Sequence, residues 1–346
     1  MQLKFGVGLL ILMLAGIAAA SDQCPVLRSR QADSEIAMRI AAVACDEHID
    51  WFRPFIDSDG RLASSTVVEA ESSELESGAG PAWLRVAAYW RDAGLLQQMG
   101  GYQGASECTY ANAAGGAPTQ ACRSFVVDQP WSAAFVSWTM QRAGVPGFLS
   151  SASHFDYVRA ARSNPQGSPY LFLDPQATVP AAGDLLCYVR TGRVYGHAGL
   201  VEAIDGGAAG LKMHCDIVVA ANAGGDGKAY LIGGNVQQAV TMRVLNLNAT
   251  GRFWSLPMRS QGDVACSPDA PGACNFNRQD WAALLKLKPQ AQLALMPPAR
   301  MLPPPRAPSL PTRCCVRCLL GAVPEIPRCP VDGTPVVPVS PVQDAD

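Results

Sequence analysis

Apolar residues recur at helical spacing in two early stretches of this chain. From Asp33 to Phe52, Ile36, Ile40, Val43 and Ile49 form one stripe, with acidic Asp33 and Glu35 in the first turn, and predict a helix. Asp57-Ser58-Asp59-Gly60 marks a turn. A second helix is expected over Ala82 to Met99, with Trp83, Val86, Ala87, Trp90 and Leu95 as its buried stripe and Gly100-Gly101 as its stop. Gln103 to Gln129 is rich in Gly, Ala and Ser and reads as a loop. A third helix is expected from Ser132 to near Ala143-Gly144, with Asp128 or Ser132 as cap and Pro130 in the approach. Trp131, Phe135 and Trp138 recur along it at core spacing. His154, Tyr157 and Val158 fall in a further short helix.

After Pro180 the texture changes. Leu185–Val189, Ala198–Ala203, His214–Ala220, Ala229–Ile232 and Val240–Leu245 are short β-type runs separated by Gly/Asp/Asn turns. Their spacing predicts an antiparallel sheet. Gln261 to Asn277 reads as an excursion before a last element at Trp281–Leu287. Helices first and strands after predict an α+β fold. The chain then divides into a helical N-terminal subdomain with its loop (21–130), a core (131–288), a proline-rich linker (289–312) and a cysteine-rich tail (313–346). That tail is too small for a hydrophobic core and must be held by its cysteines.

The first residues change the setting. Lys4, the apolar stretch Val7 to Ile17 and Ala18-Ala19-Ala20 form the three regions of a secretory signal over 1–20. The expected product is periplasmic or secreted, bacterial, and without a stable membrane span. All twelve cysteines follow the signal, and an even count in an exported chain argues for disulfides. Sequence neighbours pair as Cys24–Cys45, Cys108–Cys122, Cys187–Cys215 and Cys266–Cys274. Cys314, Cys315, Cys318 and Cys329 supply two more bridges or, through Cys315-x-x-Cys318, a zinc site as the minor alternative. A net charge of −2 with no Lys/Arg run gives no nucleic-acid footprint. No cofactor motif and no convincing metal-ligand set stands elsewhere.

The chemistry gathers at four places. Ser132 opens an apolar helix, where free N–H groups and the positive dipole end point. His214, in His214-Cys215-Asp216, opens an apolar strand and is the candidate base; His197, in Gly196-His197-Ala198-Gly199, competes for that role. Asn235 ends Gly233-Gly234-Asn235 on the next strand, as an orienter of the imidazole or a left-handed turn residue. Asp216 shares a face with His214 and is the substitute orienter, a partner of an arginine, or a group that meets substrate. Trp131, by its spacing a core residue, is otherwise the candidate floor of the cleft, and His154 either lines the cleft rim, where it touches substrate, or caps a helix.

Trp131-Ser132-Ala133-Ala134-Phe135-Val136-Ser137-Trp138 resembles the Trp-Cys-x-x-Phe-Val helix start of CHAP domains, the cysteine/histidine-dependent amidohydrolase/peptidases. Gly183-Asp184-Leu185-Leu186 resembles their Gly-Asp strand, and His214–Val219 with Gly233-Gly234-Asn235 their histidine and asparagine strands. More closely, the arrangement resembles an exported bacterial family of unknown function that also shows Trp-Ser-Ala-Ala-Phe, His-Cys-Asp-Ile-Val and Ile-Gly-Gly-Asn-Val. The likeness runs from about Asp33 to Lys288. It implies a papain-like (CHAP-like) antiparallel sheet with N-terminal helices, with Ser132 at the nucleophile position, His214 as base and Asn235 as third member. CHAP enzymes cut amide bonds in peptidoglycan or glutathionylspermidine-like substrates, and they carry cysteine where this chain carries serine.

Two functions follow as expectations. The first is a cell-wall-directed amidohydrolase or peptidase acting on peptidoglycan or envelope peptides, with an oxyanion held by the N–H groups that open the Ser132 helix. The second is a catalytically inactive papain-like module binding peptidoglycan or an envelope protein, the latter through the proline-rich linker and tail.

Overall fold

The computed structural model describes residues 22–112, 115–298 and 300–301. The signal-like segment 1–20 and the four tail cysteines lie outside them. In chain order the helices are α1 (Cys24–Leu27), α2 (Ile36–Asp50), α3 (Ala82–Asp92), α4 (Ala117–Asp128), α5 (Ser132–Arg142), α6 (His154–Ser163), α7 (Gly196–Asp205) and α8 (Gln290–Leu293). The strands are β1 (Phe55–Ile56), β2 (Leu62–Ser64), β3 (Leu149–Ser150), β4 (Tyr170–Leu173), β5 (Leu185–Val189) and β6 (Met213–Ala221). They continue with β7 (Lys228–Val236), β8 (Ala239–Asn246), β9 (Asp280–Leu287) and β10 (Arg300–Met301).

Eight strands form one sheet in the order β2-β1-β8-β7-β6-β5-β9-β4. Every pairing in it is antiparallel except β1 with β8. β3 and β10 form a separate parallel pair. Helices α2 and α5 pack on β6, β7 and β8. The fold is therefore α+β, a large sheet with helices laid across it.

Strand periodicity explains why the central strands are buried throughout. In β5, Leu185, Cys187 and Val189 face the helices, while Leu186 and Tyr188 face the other side. That second face is closed by Leu247, Phe253, Leu256 and Trp281. The stretch that follows β8 thus covers the sheet's far face before the expected excursion begins at Gln261.

Three expectations are corrected. Residues 198–203 are helical, not a strand: Leu200 and Ile204 are buried at a spacing of four, and a short apolar run does not distinguish the two periods. The expected loop over Gln103 to Gln129 contains α4, which has Pro118 in its first turn and buries Cys122, Phe125 and Val126. α3 ends at Asp92 rather than Met99, although Leu95, Leu96 and Met99 remain buried in the turns that follow. In addition, α8 and β10 fall in the stretch read as linker, so regular structure continues to Met301.

The four expected bridges are formed: Cys24–Cys45, Cys108–Cys122, Cys187–Cys215 and Cys266–Cys274. Cys187–Cys215 joins directly opposed positions of β5 and β6, one residue from His214. Among the described residues no helix is long and apolar enough to cross a membrane, and no group of three or more His, Cys, Asp or Glu is placed to hold a metal.

Candidate active site

Ser132 is the first residue of α5, and no side chain caps this helix. The opening N–H groups, which an α-helix leaves without internal partners, are therefore directed past Ser132. Its hydroxyl lies 2.7 Å from Nε2 of His154, the first residue of α6. His154 Nδ1 in turn meets the Tyr157 hydroxyl one helical turn later. All three side chains are buried, Ser132 and His154 at 4% exposure. Burial, reinforced by the neighbouring His214 charge, pushes the His154 pKa well below the usual imidazole value. The imidazole is thus neutral near pH 7, with one nitrogen as donor and one as acceptor. Burial also pushes the Tyr157 phenol well above its usual value.

His214 sits on β6 with its ring centroid 5.1 Å from that of His154. Its Nε2 is 2.9 Å from Asp216 Oδ1, and Asp216 Oδ2 accepts from Arg243 Nε at 3.0 Å on β8. His214, Asp216 and Arg243 are all within 2% of full burial. Burial alone would raise the Asp216 pKa, but the charges and hydrogen bonds of Arg243 and His214 prevail and hold it at about 2. Arg243 also donates to Asn277 Oδ1 at 2.9 Å and to the Phe276 carbonyl. His214 Nδ1, on the other side of the ring, has no hydrogen-bond partner among the described residues.

Glycines make this crowding possible. A Cβ on Gly233 would stand 2.0 Å from Asp216 Oδ1 and 3.0 Å from His214 Nε2. One on Gly234 would stand 2.5 Å from the Phe135 side chain of α5. The Gly-Gly pair thus lets β7 pass between the histidine–aspartate pair and the helix that carries Ser132.

The residues singled out from sequence are distributed as follows. Ser132 and His154 are in direct contact, and His214 is beside them. His214 is oriented by Asp216 rather than by Asn235. Asn235 is left-handed (φ +57°), which turns its amide away from the imidazole. Oriented by its partners, that amide donates to Glu69 Oε2 at 3.2 Å and accepts from the Trp131 N–H at 3.2 Å. Trp131 does not floor a cleft: it is fully buried, stacked on Trp51 at 5.7 Å and Tyr89 at 5.6 Å, and its Nε1 donates to Glu69. Asp216 is too deeply buried to meet substrate. His197 lies on α7, with Nδ1 on the Ala282 carbonyl at 2.8 Å and its ring stacked on Phe172, away from Ser132.

Three residues of the site escaped the sequence reading: Tyr157 as a partner of His154, Arg243 and Glu69. Arg243 did carry a signal, since a charge inside the apolar run Val240–Leu245 must find a buried partner. Glu69 is 4% exposed, and burial raises its carboxyl pKa against the opposing Trp131 hydrogen bond.

Ser132, Ala133, Ser153, His154, Arg190, Leu211 and Lys212 line a cavity of about 700 Å³. A second cavity of about 540 Å³ is lined by Tyr188, Arg190, Asn235, Gln237, Gln238 and Arg243, so Arg190 borders both. An uncapped helix start, a hydroxyl on a neutral imidazole and a carboxylate-oriented second imidazole can together move a proton and hold an oxyanion.

No curated protein and no solved structure gives a significant match to the chain. One family profile does match, over residues 78–287, a span that holds Ser132, His154, Tyr157, His214, Asp216, Asn235 and Arg243 and leaves out Glu69. By that match the chain belongs to the family described as an uncharacterized protein conserved in bacteria (DUF2272).

Proposed function

We propose that this protein is an exported, serine-type amide hydrolase of the bacterial cell envelope, a CHAP-like, papain-like module with Ser132 as nucleophile. The observation that carries the reading is the 2.7 Å contact between Ser132 Oγ and His154 Nε2 at the mouth of an uncapped helix, in a cavity large enough for a peptide segment. In this reading His154 Nε2 takes the Ser132 proton as Oγ attacks the amide carbonyl. The tetrahedral oxyanion is met by N–H groups at the start of α5, and the proton passes to the leaving amine. Water then repeats the sequence on the acyl-serine. Asp216, held in place by His214 and Arg243, supplies the negative charge that favours the imidazolium His154 becomes. The base assigned here is thus His154, with His214 in support and Asn235 holding the Trp131 turn. The disulfides support an oxidising compartment.

One observation favours a second reading, a binding module without turnover. If the Tyr157 hydroxyl donates to His154 Nδ1, then Nε2 carries the proton and donates to Ser132, a tautomer that cannot accept the serine proton. The reverse tautomer, which the hydrolase needs, leaves the buried Tyr157 hydroxyl proton without an acceptor.

Two assays decide between them. The mature protein is treated with a fluorophosphonate probe and the site of labelling is read by mass spectrometry, with Ser132→Ala and Tyr157→Phe alongside. In parallel, peptidoglycan fragments are scored for released peptides. The hydrolase predicts labelling at Ser132 and release that vanishes in Ser132→Ala. Absence of both, with fragment binding that survives Ser132→Ala, would establish the binding module instead. Labelling that appears only in Tyr157→Phe would show that the tyrosine holds the inactive tautomer.

A further inference from the structure

The chain is slightly acidic overall, yet the cavity at Ser132 is not. Its charged lining groups are Arg190 and Lys212, and no Asp or Glu lines it or the adjoining cavity that shares Arg190. Both cations are exposed, and neither has an ion pair or a side-chain hydrogen bond among the described residues. They are held side by side where β5 runs into its following turn and β6 begins, because the Arg190 N–H donates to the Lys212 carbonyl at 2.7 Å. The uncapped start of α5, whose Ser132 and Ala133 line the same cavity, adds a third positive pole.

Other arginines of this molecule are spent on carboxylates: Arg28 on Asp46, Arg85 on Glu47, Arg162 on Asp205 and Arg243 on Asp216. Arg190 and Lys212 are left free at the mouth of the reactive serine. An exposed cation is easily solvated, so freedom alone means little. Two of them converging with a helix N-terminus on one acid-free cavity make a focused positive field. Arg190, between the two cavities, offers a planar fork suited to a carboxylate.

We propose that the site recognises a peptide carrying a free carboxylate near the susceptible amide, with Arg190 as the specificity-determining residue and Lys212 reinforcing it. This rests on the reading of the Ser132 cavity as the functional site, and it names the substrate class. The substrate's carboxylate is held by Arg190 while its amide lies over Ser132, so an acidic peptide is chosen over its amidated counterpart.

The test uses the mature Ser132→Ala protein, so that nothing is turned over, and three forms of a disaccharide–tetrapeptide from peptidoglycan. One form keeps every carboxylate, one is amidated at the C-terminus alone, and one is amidated throughout. Binding is followed by isothermal titration at low and at physiological salt. The acidic fragment is expected to bind about tenfold more tightly than the fully amidated one, the worth of one charge-assisted hydrogen bond. Added Arg190→Gln should erase the preference, and Arg190→Lys should keep part of it. The C-terminally amidated form distinguishes recognition of the terminal carboxylate from recognition of a side-chain carboxylate.

Equal binding of acidic and neutral forms, a preference that survives Arg190→Gln, or no binding of any form overturns the proposal. Its fate is separable from that of the hydrolase. Wild type labelled at Ser132 but indifferent to substrate charge refutes the carboxylate site alone. A charge-dependent binder that is never labelled refutes hydrolysis alone.

Discussion

Replacing Asp216 by Asn is the sharpest perturbation of this site, because the carboxylate joins two buried donors on different strands. Its pKa stands at about 2 against 3.8 for a free aspartate. At about 1.36 kcal/mol per unit, the ionised form is favoured in the folded state by roughly 2–3 kcal/mol. An asparagine keeps one acceptor oxygen but turns an NH2 toward either Arg243 or His214, both donors. Arg243 also loses its counter-ion while retaining Asn277 and the Phe276 carbonyl. Breaking a buried pair costs about 3–5 kcal/mol, and the surviving partners of Arg243 place the expected loss near 3.

Urea denaturation with disulfides intact measures this directly. At pH 7 the Asp216→Asn midpoint should fall by roughly 1 M for a chain of this size. The sign of the pH dependence follows from linkage. The folded state holds Asp216 ionised to lower pH than the unfolded state does, so its contribution is complete above pH 3.8 and is lost as pH falls toward 2. The gap between wild type and variant should therefore narrow over that interval. Adding Arg243→Met removes the orphaned charge, so the double variant should be less destabilised than the two single losses together. A midpoint unchanged at pH 7, or a gap of constant size down to pH 2.5, would refute the reasoning.

Three further outcomes are expected. Burial lowers the His48 pKa to about 4 from 6.5, so wild type should lose on the order of 3 kcal/mol as pH falls from 6.5 to 4, and His48→Gln should flatten that part of the stability curve. Gly233→Ala should cost about 1–3 kcal/mol by thermal denaturation and abolish probe labelling, whereas Gly101→Ala, which meets nothing within 4 Å, should be silent. Replacing Cys187 and Cys215 together by Ala opens a bridge across 28 residues and should cost about 3–4 kcal/mol, read as a lower urea midpoint than that of the oxidised wild type.

Much of the fold was legible because its signals are local. The α2 stripe needs only one helix to be read, and the β5–β6 and β7–β8 runs are long enough for their apolar character to show. An even cysteine count pointed to bridges, and pairing sequence neighbours, a choice the count itself does not fix, matches the four that form. α7 was misread for the opposite reason: Gly196–Asp205 is too short for a period of four to separate from a period of two, and its helical state depends on packing against β9 and α6. Strands β1 and β2 have two and three residues, and they exist because β8 offers an edge to pair with.

The site divides along the same line. Ser132 was legible as a helix start and Asp216 as a same-face neighbour of His214, since both relations span two residues or fewer. The contact that matters most for Ser132 spans 22 residues, from α5 to α6, and sequence gave His154 no mark that set it above a helix cap. Glu69 lies 62 residues before Trp131 and in a segment without regular structure, where no periodicity exists to place it. Asn235 shows how a single dihedral redirects chemistry. It is on the expected strand, next to the expected neighbour, yet φ +57° sends its amide to Glu69 and Trp131 and leaves the imidazole to Asp216. A motif can therefore mark the right strands for a constellation while assigning the hydrogen bonds within it to the wrong side chains.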